Sequence, residues 1–183
     1  MNIYSTLRTS VRNVAVSALP EIDPSNVIFS HLNGIEPTGS YVTVSIIDVT
    51  QQGKHTSSGL AKSDGSPTPV YNLTTTVAYE GRVQFSFVGS NSGDLAHSFN
   101  QRINNNPLVL QELSRNKLGV MRKSQVRRAP QKRDTKWVEY HNIDVTFSYH
   151  VVSTDTVDIV DAVVAQQNND PSFVVPENFV INP

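Results

Sequence analysis

The stretch Tyr71-Asn72-Leu73-Thr74-Thr75-Thr76-Val77-Ala78-Tyr79-Glu80-Gly81-Arg82-Val83-Gln84-Phe85-Ser86-Phe87 decides the fold. Tyr71, Leu73, Val77, Tyr79, Val83, Phe85 and Phe87 stand on odd positions. Asn72, Thr74, Thr76, Glu80, Arg82, Gln84 and Ser86 stand between them. A strand sends successive side chains to opposite faces, so this period of two predicts a strand with one apolar and one polar face. Strands average about five or six residues. This one, at about 3.3 Å per residue, would extend on the order of 55 Å. Either it bends near Gly81, or it projects from the domain as one arm of a hairpin.

Working outward, the same alternation returns after Trp137. Ile143, Val145, Phe147, Tyr149 and Val151 face one way, with Asn142, Asp144, Thr146, Ser148 and His150 between them. Tyr41 to Val49 reads as a third strand. Val42, Val44 and Ile46 share a face, while Ile47 and Val49 fall on the other. That change of phase predicts a bulge, or a strand covered on both faces. Val27-Ile28-Phe29 is a short strand in an irregular stretch punctuated by Pro20, Pro24, Gly34, Pro37 and Gly39. Residues 51–69 are rich in Gln, Gly, Ser and Pro and read as a long flexible loop.

The helices show a different period. Ile3, Leu7, Val11, Val14, Ala15 and Ala18 recur at steps of three and four, which predicts a helix over 3–18. Asn2 can cap it, and Pro20 stops it. Asp94 can cap a second helix carrying Leu95, Phe99 and Ile103. Asn106 then caps a third, with Pro107 in its first position and Leu110 and Leu113 following. Arg115 and Lys117 suit its carboxyl end, and Gly119 can terminate it. Residues 154–165 place Val157, Val160 and Val164 along a possible short helix. From Gln166 the chain is polar and Pro-punctuated. Its two apolar clusters, Phe173-Val174-Val175 and Phe179-Val180-Ile181, need a surface to dock on. The organisation expected is one domain over 1–165 and an extended C-terminal arm over 166–183.

The chain has 183 residues, 38% hydrophobic and 17% charged. Globular proteins are usually about 25% charged. The absence of cysteine rules out a disulfide framework, a thiolate metal site and a cysteine nucleophile. The net charge of -1 is a cancellation. Residues 1–114 carry 6 basic and 8 acidic side chains, net -2. Residues 115–136 carry 9 basic and 1 acidic, net +8. Residues 137–183 carry 7 acids and no Lys or Arg, net -7.

That basic stretch is the one charged constellation above background: Arg115, Lys117, Arg122, Lys123, Arg127, Arg128, Lys132, Arg133 and Lys136. Three readings stand. The cations pair with the acidic neighbour, within a chain or between copies. They face DNA, in a salt-dependent manner. Or they are simply solvated. Aromatic interleaving for base stacking is absent, since Trp137 is the only nearby ring. Any nucleic-acid binding would therefore be sequence-independent.

Catalytic chemistry is not visible. There is no Gly-rich phosphate loop, no His-Glu-x-x-His and no nucleophile elbow. His31, His55, His97, His141 and His150 are scattered. Asp155, Asp158 and Asp161 are separated by residues that cannot build a calcium loop. No catalytic, metal or cofactor-binding residue is assigned, and no cofactor is expected. Asn72-Leu73-Thr74 has the glycosylation spacing but no secretory signal accompanies it. No window approaches the roughly 18 apolar residues of a membrane helix, so no membrane partner is expected.

The order of elements carries a resemblance. A first helix precedes Tyr41-Val42-Thr43-Val44-Ser45-Ile46. A long strand ending Val83-Gln84-Phe85-Ser86-Phe87-Val88-Gly89 leads to Leu95-Ala96-His97-Ser98-Phe99 on a helix. Leu118-Gly119-Val120 turns into a strand, and Ile143-Asp144-Val145-Thr146-Phe147-Ser148-Tyr149 closes the series. Over about residues 3–160 this resembles the tail terminator, or neck completion, proteins of tailed bacteriophages. The resemblance implies an α+β domain, a twisted, mostly antiparallel sheet with helices packed on one face. It implies a non-enzymatic virion protein of the tail or neck, assembled in the host cytoplasm. It implies a homo-oligomeric, hexameric ring that meets the head-tail connector and the tail tube or sheath, with the genome passing through its lumen in transient, non-specific contact. The alternative function is a sequence-independent nucleic-acid-binding protein using the 115–136 segment.

If Phe173 to Ile181 docks on a neighbour, deleting the residues after about 166 weakens assembly and spares the fold. Sedimentation of the shortened chain beside the full one checks this. Equal assembly would show that the arm plays no part.

Overall fold

Three strands are far longer than a small domain usually contains, and they set the shape of everything else. The computed structural model describes residues 3–30, 36–62, 71–133 and 135–157. Helix α1 spans Ile3–Ala18, and a single 3-10 turn at Pro24–Asn26 leads into β1, Val27–Phe29. β2 runs Tyr41–Lys62 and β3 runs Tyr71–Val88. Helices α2, Ser92–Asn105, and α3, Pro107–Arg115, follow. The chain returns through β4 (Leu118–Lys123), β5 (Arg127–Arg128), β6 (Gln131–Arg133) and β7 (Lys136–Val138) to β8, Tyr140–Val157.

The main sheet is open and twisted, in the order β1-β2-β3-β8-β4, with β5 also on β8. β1 pairs parallel to β2, and the other pairings are antiparallel. β6 and β7 form a separate small hairpin. The architecture is α+β, as the resemblance implied.

Register puts the apolar positions of neighbouring strands side by side. Val44 lies opposite Phe85, which lies opposite Ile143; Ile46 lies opposite Val83, which lies opposite Val145. All three helices cover this face. Leu7, Val11, Val14, Ala15 and Ala18 of α1 are fully buried there. Phe99 of α2 sits 4.6 Å from the Phe85 ring and 5.6 Å from Phe87, and Phe147 meets Phe85 edge-on at 6.4 Å. Tilted and edge-on ring pairs add a fraction of a kcal/mol to about 1.5 kcal/mol beyond their burial.

Polar contacts fix the helix ends. Asn106 caps α3, its side chain accepting from the Leu108 N–H at 2.9 Å, with Pro107 in the first turn. Arg102 of α2 donates to the Ala18 carbonyl at 3.1 Å and pairs with Glu21 at 2.5 Å, tying α2 to the end of α1. Buried Ser92 at the start of α2 shares a hydrogen bond of 2.9 Å with His141 Nδ1 on β8.

The phase change in β2 is the bulge that its pattern allowed: register shifts between Ile46 and Asp48, leaving Ile47 as the extra, exposed residue. Other expectations are corrected. Residues 51–62 are not a loop but the continuation of β2. Gln51 pairs with Tyr79, Thr56 with Thr76 and Lys62 with Tyr71. Backbone pairing needs no apolar side chains, and Gly53, at φ 68, absorbs the irregularity between Gln52 and Thr56. Residues 63–70 of the expected loop lie outside the described residues. Thr154 to Val157 extend β8 against β3 rather than opening a helix, which suits the β-branched Thr154, Thr156 and Val157. The rest of 154–165 and the arm over 166–183 also lie outside the described residues.

Asn91, not Asp94, occupies the cap position of α2, and Asp94 lies in the first turn, where a negative charge is favoured. Gly119 does not end α3. Lys117 takes the left-handed position instead, at φ 54, and Gly119 lies within β4. A Cβ at Gly119 would stand 2.7 Å from Ser148 Oγ. β3 shows no register shift against β8 at Gly81, and their pairing runs unbroken from Tyr71 to Val88. Gly81 is small for another reason: a Cβ there would stand 2.5 Å from Leu7 Cδ2, at the point where α1 presses on the sheet.

Gly81→Ala therefore over-packs a buried contact and should lower stability by about 1–3 kcal/mol. Urea unfolding checks it. In the double variant with Leu7→Ala the two losses should sum to more than the measured loss, because the shortened side chain vacates the space. Additive losses would contradict this contact.

Candidate functional site

The alternation that sinks Val83, Phe85 and Phe87 turns Arg82, Gln84 and Ser86 to the opposite face. There they meet polar neighbours across the strands. Asp48 of β2 pairs with Arg82 of β3 at 2.8 Å. Gln84 donates to Asp144 Oδ1 of β8 at 3.1 Å. Arg127 of β5 reaches the other oxygen of Asp144 at 2.5 Å. Arg122 of β4 reaches Glu80 of β3 at 3.1 Å. Asp144 is also bound through its backbone, its N–H donating to Ser124 Oγ at 3.0 Å. Arg82, Arg122, Lys123, Ser124, Asp144 and Thr146 line a shallow open depression on this face.

The nine basic residues singled out by sequence lie on β4 to β7 and the end of α3. Arg115 pairs with Glu112 one turn back at 3.5 Å. Arg122 and Arg127 bind as just described. Lys123 Nζ donates to the Asn100 carbonyl at 2.6 Å. Arg128 grips Glu139 with two hydrogen bonds, at 2.9 and 2.5 Å. Arg133 pairs with Glu36 and lies 5.3 Å from the Tyr140 ring centroid. Lys117, Lys132 and Lys136 are exposed and form no ion pair among the described residues. Five of the nine thus meet carboxylates of the same chain. Two of those carboxylates, Asp144 and Glu139, come from the acidic block. The other three, Glu36, Glu80 and Glu112, come from the N-terminal part and were not identified from sequence.

The signal for Glu80 was present: it shares the polar face of β3 with Arg82 and Gln84. Glu36 carried no local signal. It accepts from the Tyr41 hydroxyl as well as from Arg133. The Tyr41 hydrogen bond, then Arg133, holds its carboxyl below the usual range. Burial, reinforced by Glu36, pushes the Tyr41 hydroxyl well up. Arg128 likewise holds Glu139 low, and Arg102 holds Glu21 low. On the inward face, burial pushes Tyr149 up to about 12, and its ring stacks on Tyr79 at 5.7 Å.

A second surface is apolar. Val109 and Leu113 of α3 are buried, but Leu108 is 68% exposed, and Leu110 of α3 and Met121 of β4 are also exposed. The arm residues Phe173, Val174, Val175, Phe179, Val180 and Ile181 lie outside the described residues. Among the described residues, no three His, Asp or Glu side chains come together as metal ligands. No helix among them is long and apolar enough to cross a membrane. The arrangement is suited to contact. It offers exchangeable ion pairs on one face and exposed apolar side chains at one edge.

Residues 1–170 match the model of a family described as "Phage neck terminator protein". None of the curated proteins matches the chain. One solved structure with some likeness is described as the sheath/tube terminator, in the extended state, of an extracellular contractile injection system, PVC. It is 15% identical, with a TM-score of 0.34, and the likeness covers 95% of this chain and 66% of that one. At that level it carries no argument about role.

The carboxylates held low imply a pH dependence. Glu21, Glu36 and Glu139 bind protons less readily folded than unfolded. Their stabilisation is complete above the ordinary carboxylate range, about 4.3, and is lost as pH falls through their folded values. The unfolding temperature should therefore fall between about pH 5 and pH 3. The triple variant Glu21→Gln, Glu36→Gln, Glu139→Gln should start lower at pH 7 and fall less steeply. Parallel curves for the two proteins would show that these pairs do not matter.

Proposed function

The chain belongs to the phage neck terminator family, and on that premise we propose that it is a structural virion protein that closes the head-proximal end of a phage tail. In this reading copies assemble into a hexameric ring. The ring joins the tail tube or sheath to the head connector, and the genome passes through its lumen. The role is architectural rather than enzymatic. The protein is assembled in the host cytoplasm and resides in the tail or neck of the virion.

The family match over nearly the whole chain carries the reading. The geometry supports it. The β2, β3 and β8 strands extend beyond their own helix layer, which suits contact with a further copy. A dedicated nucleic-acid role for residues 115–136 is less well supported. Five of those cations already have carboxylate partners within the chain. Of the other four, Lys123 donates to the Asn100 carbonyl, and Lys117, Lys132 and Lys136 remain, enough for weak, salt-sensitive contact with passing DNA.

The test is a phage unable to make this protein. Heads and tails should accumulate unjoined, or tails should lack a uniform end, and the purified protein should restore infectious particles. Normal particles without the protein would overturn the proposal.

A further inference from the structure

A groove lies between β4 and the α2–α3 pair. Ile103 of α2, Leu110 and Leu113 of α3, and Leu118 and Val120 of β4 line it. Two features make it a receptor rather than a crevice. Its wall is apolar, and Leu110 within it is 46% exposed. Its floor strand is an edge: among the described residues β4 pairs only with β8, with a bulge at Met121, so its outward N–H and C=O groups face away from the sheet. An open edge beside an apolar groove takes an extended segment, which adds backbone hydrogen bonds and places alternate side chains in the groove.

The chain carries a segment of that kind. Glu177-Asn178-Phe179-Val180-Ile181-Asn182 lies between Pro176 and Pro183, and its six residues equal the length of β4. Phe179 and Ile181 are two apart, so in an extended segment they share a face. The flanking prolines lack an N–H and limit pairing to that run. Charge also fits. Lys117 immediately precedes β4 and Lys123 ends it, while the segment carries Glu177 and no Lys or Arg. Length fits as well. β8 ends at Val157, eight residues beyond Tyr149, the partner of Leu118, so the described chain stops about 26 Å along the sheet from the groove. The remaining residues have ample reach to leave the subunit.

We propose that Glu177–Asn182 of a neighbouring copy docks as an added strand on β4, with Phe179 and Ile181 seated in the groove beside Leu110. This rests on the ring reading and gives it a specific subunit contact. The natural sequence contains no cysteine, so engineered pairs report without background.

Two full-length variants, Leu110→Cys and a mass-tagged Phe179→Cys, are mixed under mild oxidation and the mixed disulfide is measured. The control replaces the first partner with Asp48→Cys, on the opposite sheet face. The Leu110 pair should cross-link at least roughly tenfold faster than the control, as a raised effective concentration requires. Equal rates would overturn the docking. So would a link that forms only when both cysteines are in one chain. Light scattering on the same samples separates the two claims. An assembled mass with no selective link removes the docking and leaves the ring, whereas a monomer with no link removes both. Leu110→Asp in an otherwise natural chain should weaken assembly without changing the circular dichroism spectrum, since that side chain is already half in solvent.

Discussion

The sheet is longer than the helix layer that covers it, and the rest of the structure depends on that mismatch. α1 has 16 residues, about 24 Å at 1.5 Å each. β3 and β8 have 18 residues each, on the order of 60 Å, and β2 is longer still. Fully buried side chains therefore crowd one end of the strands. Phe85, Phe87, Ile143, Val145 and Phe147 lie under Phe99 and α1, and no side chain of β3 before Gly81 reaches full burial among the described residues. The covered end folds as a domain. The uncovered end is held by backbone pairing between β2, β3 and β8.

The opposite face follows from the same alternation. Once the odd positions of β3 are committed to the core, Glu80, Arg82 and Gln84 must face out and meet Asp48, Arg122 and Asp144 across the strands. Each exposed pair contributes about 0–1 kcal/mol, so their value lies in register and in surface pattern more than in stability. They also change the meaning of the charge blocks. The +8 segment is not a free polycation, because much of it is matched by carboxylates of its own fold. What it leaves unmatched includes Lys117, which immediately precedes the β4 edge.

Much of the fold was legible because it depends on local period. The 3–18 helix, the 71–87 and 143–151 strands and the Asn106-Pro107 start of α3 each follow from spacing alone. The readings that failed depend on partners distant in sequence. Residues 51–62 look like loop because their pairing with Thr76, Leu73 and Tyr71 is made by backbone, which leaves no mark on side-chain pattern. The end of α3 was misplaced because Lys117, not a glycine, adopts the left-handed conformation. The cations of the candidate site were legible, but Glu36 is nearly a hundred positions from Arg133, and nothing local joins them. The groove was invisible for the same reason, since it takes residues from α2, α3 and β4 to form it.

The central claim is that this chain acts as a ring subunit whose sheet and edges are completed by copies of itself. Electron microscopy of the purified full-length protein at low and moderate salt tests it most directly. The account predicts closed rings of one fixed copy number around an open lumen. A monomer at every concentration, or open-ended filaments in place of closed rings, would contradict it.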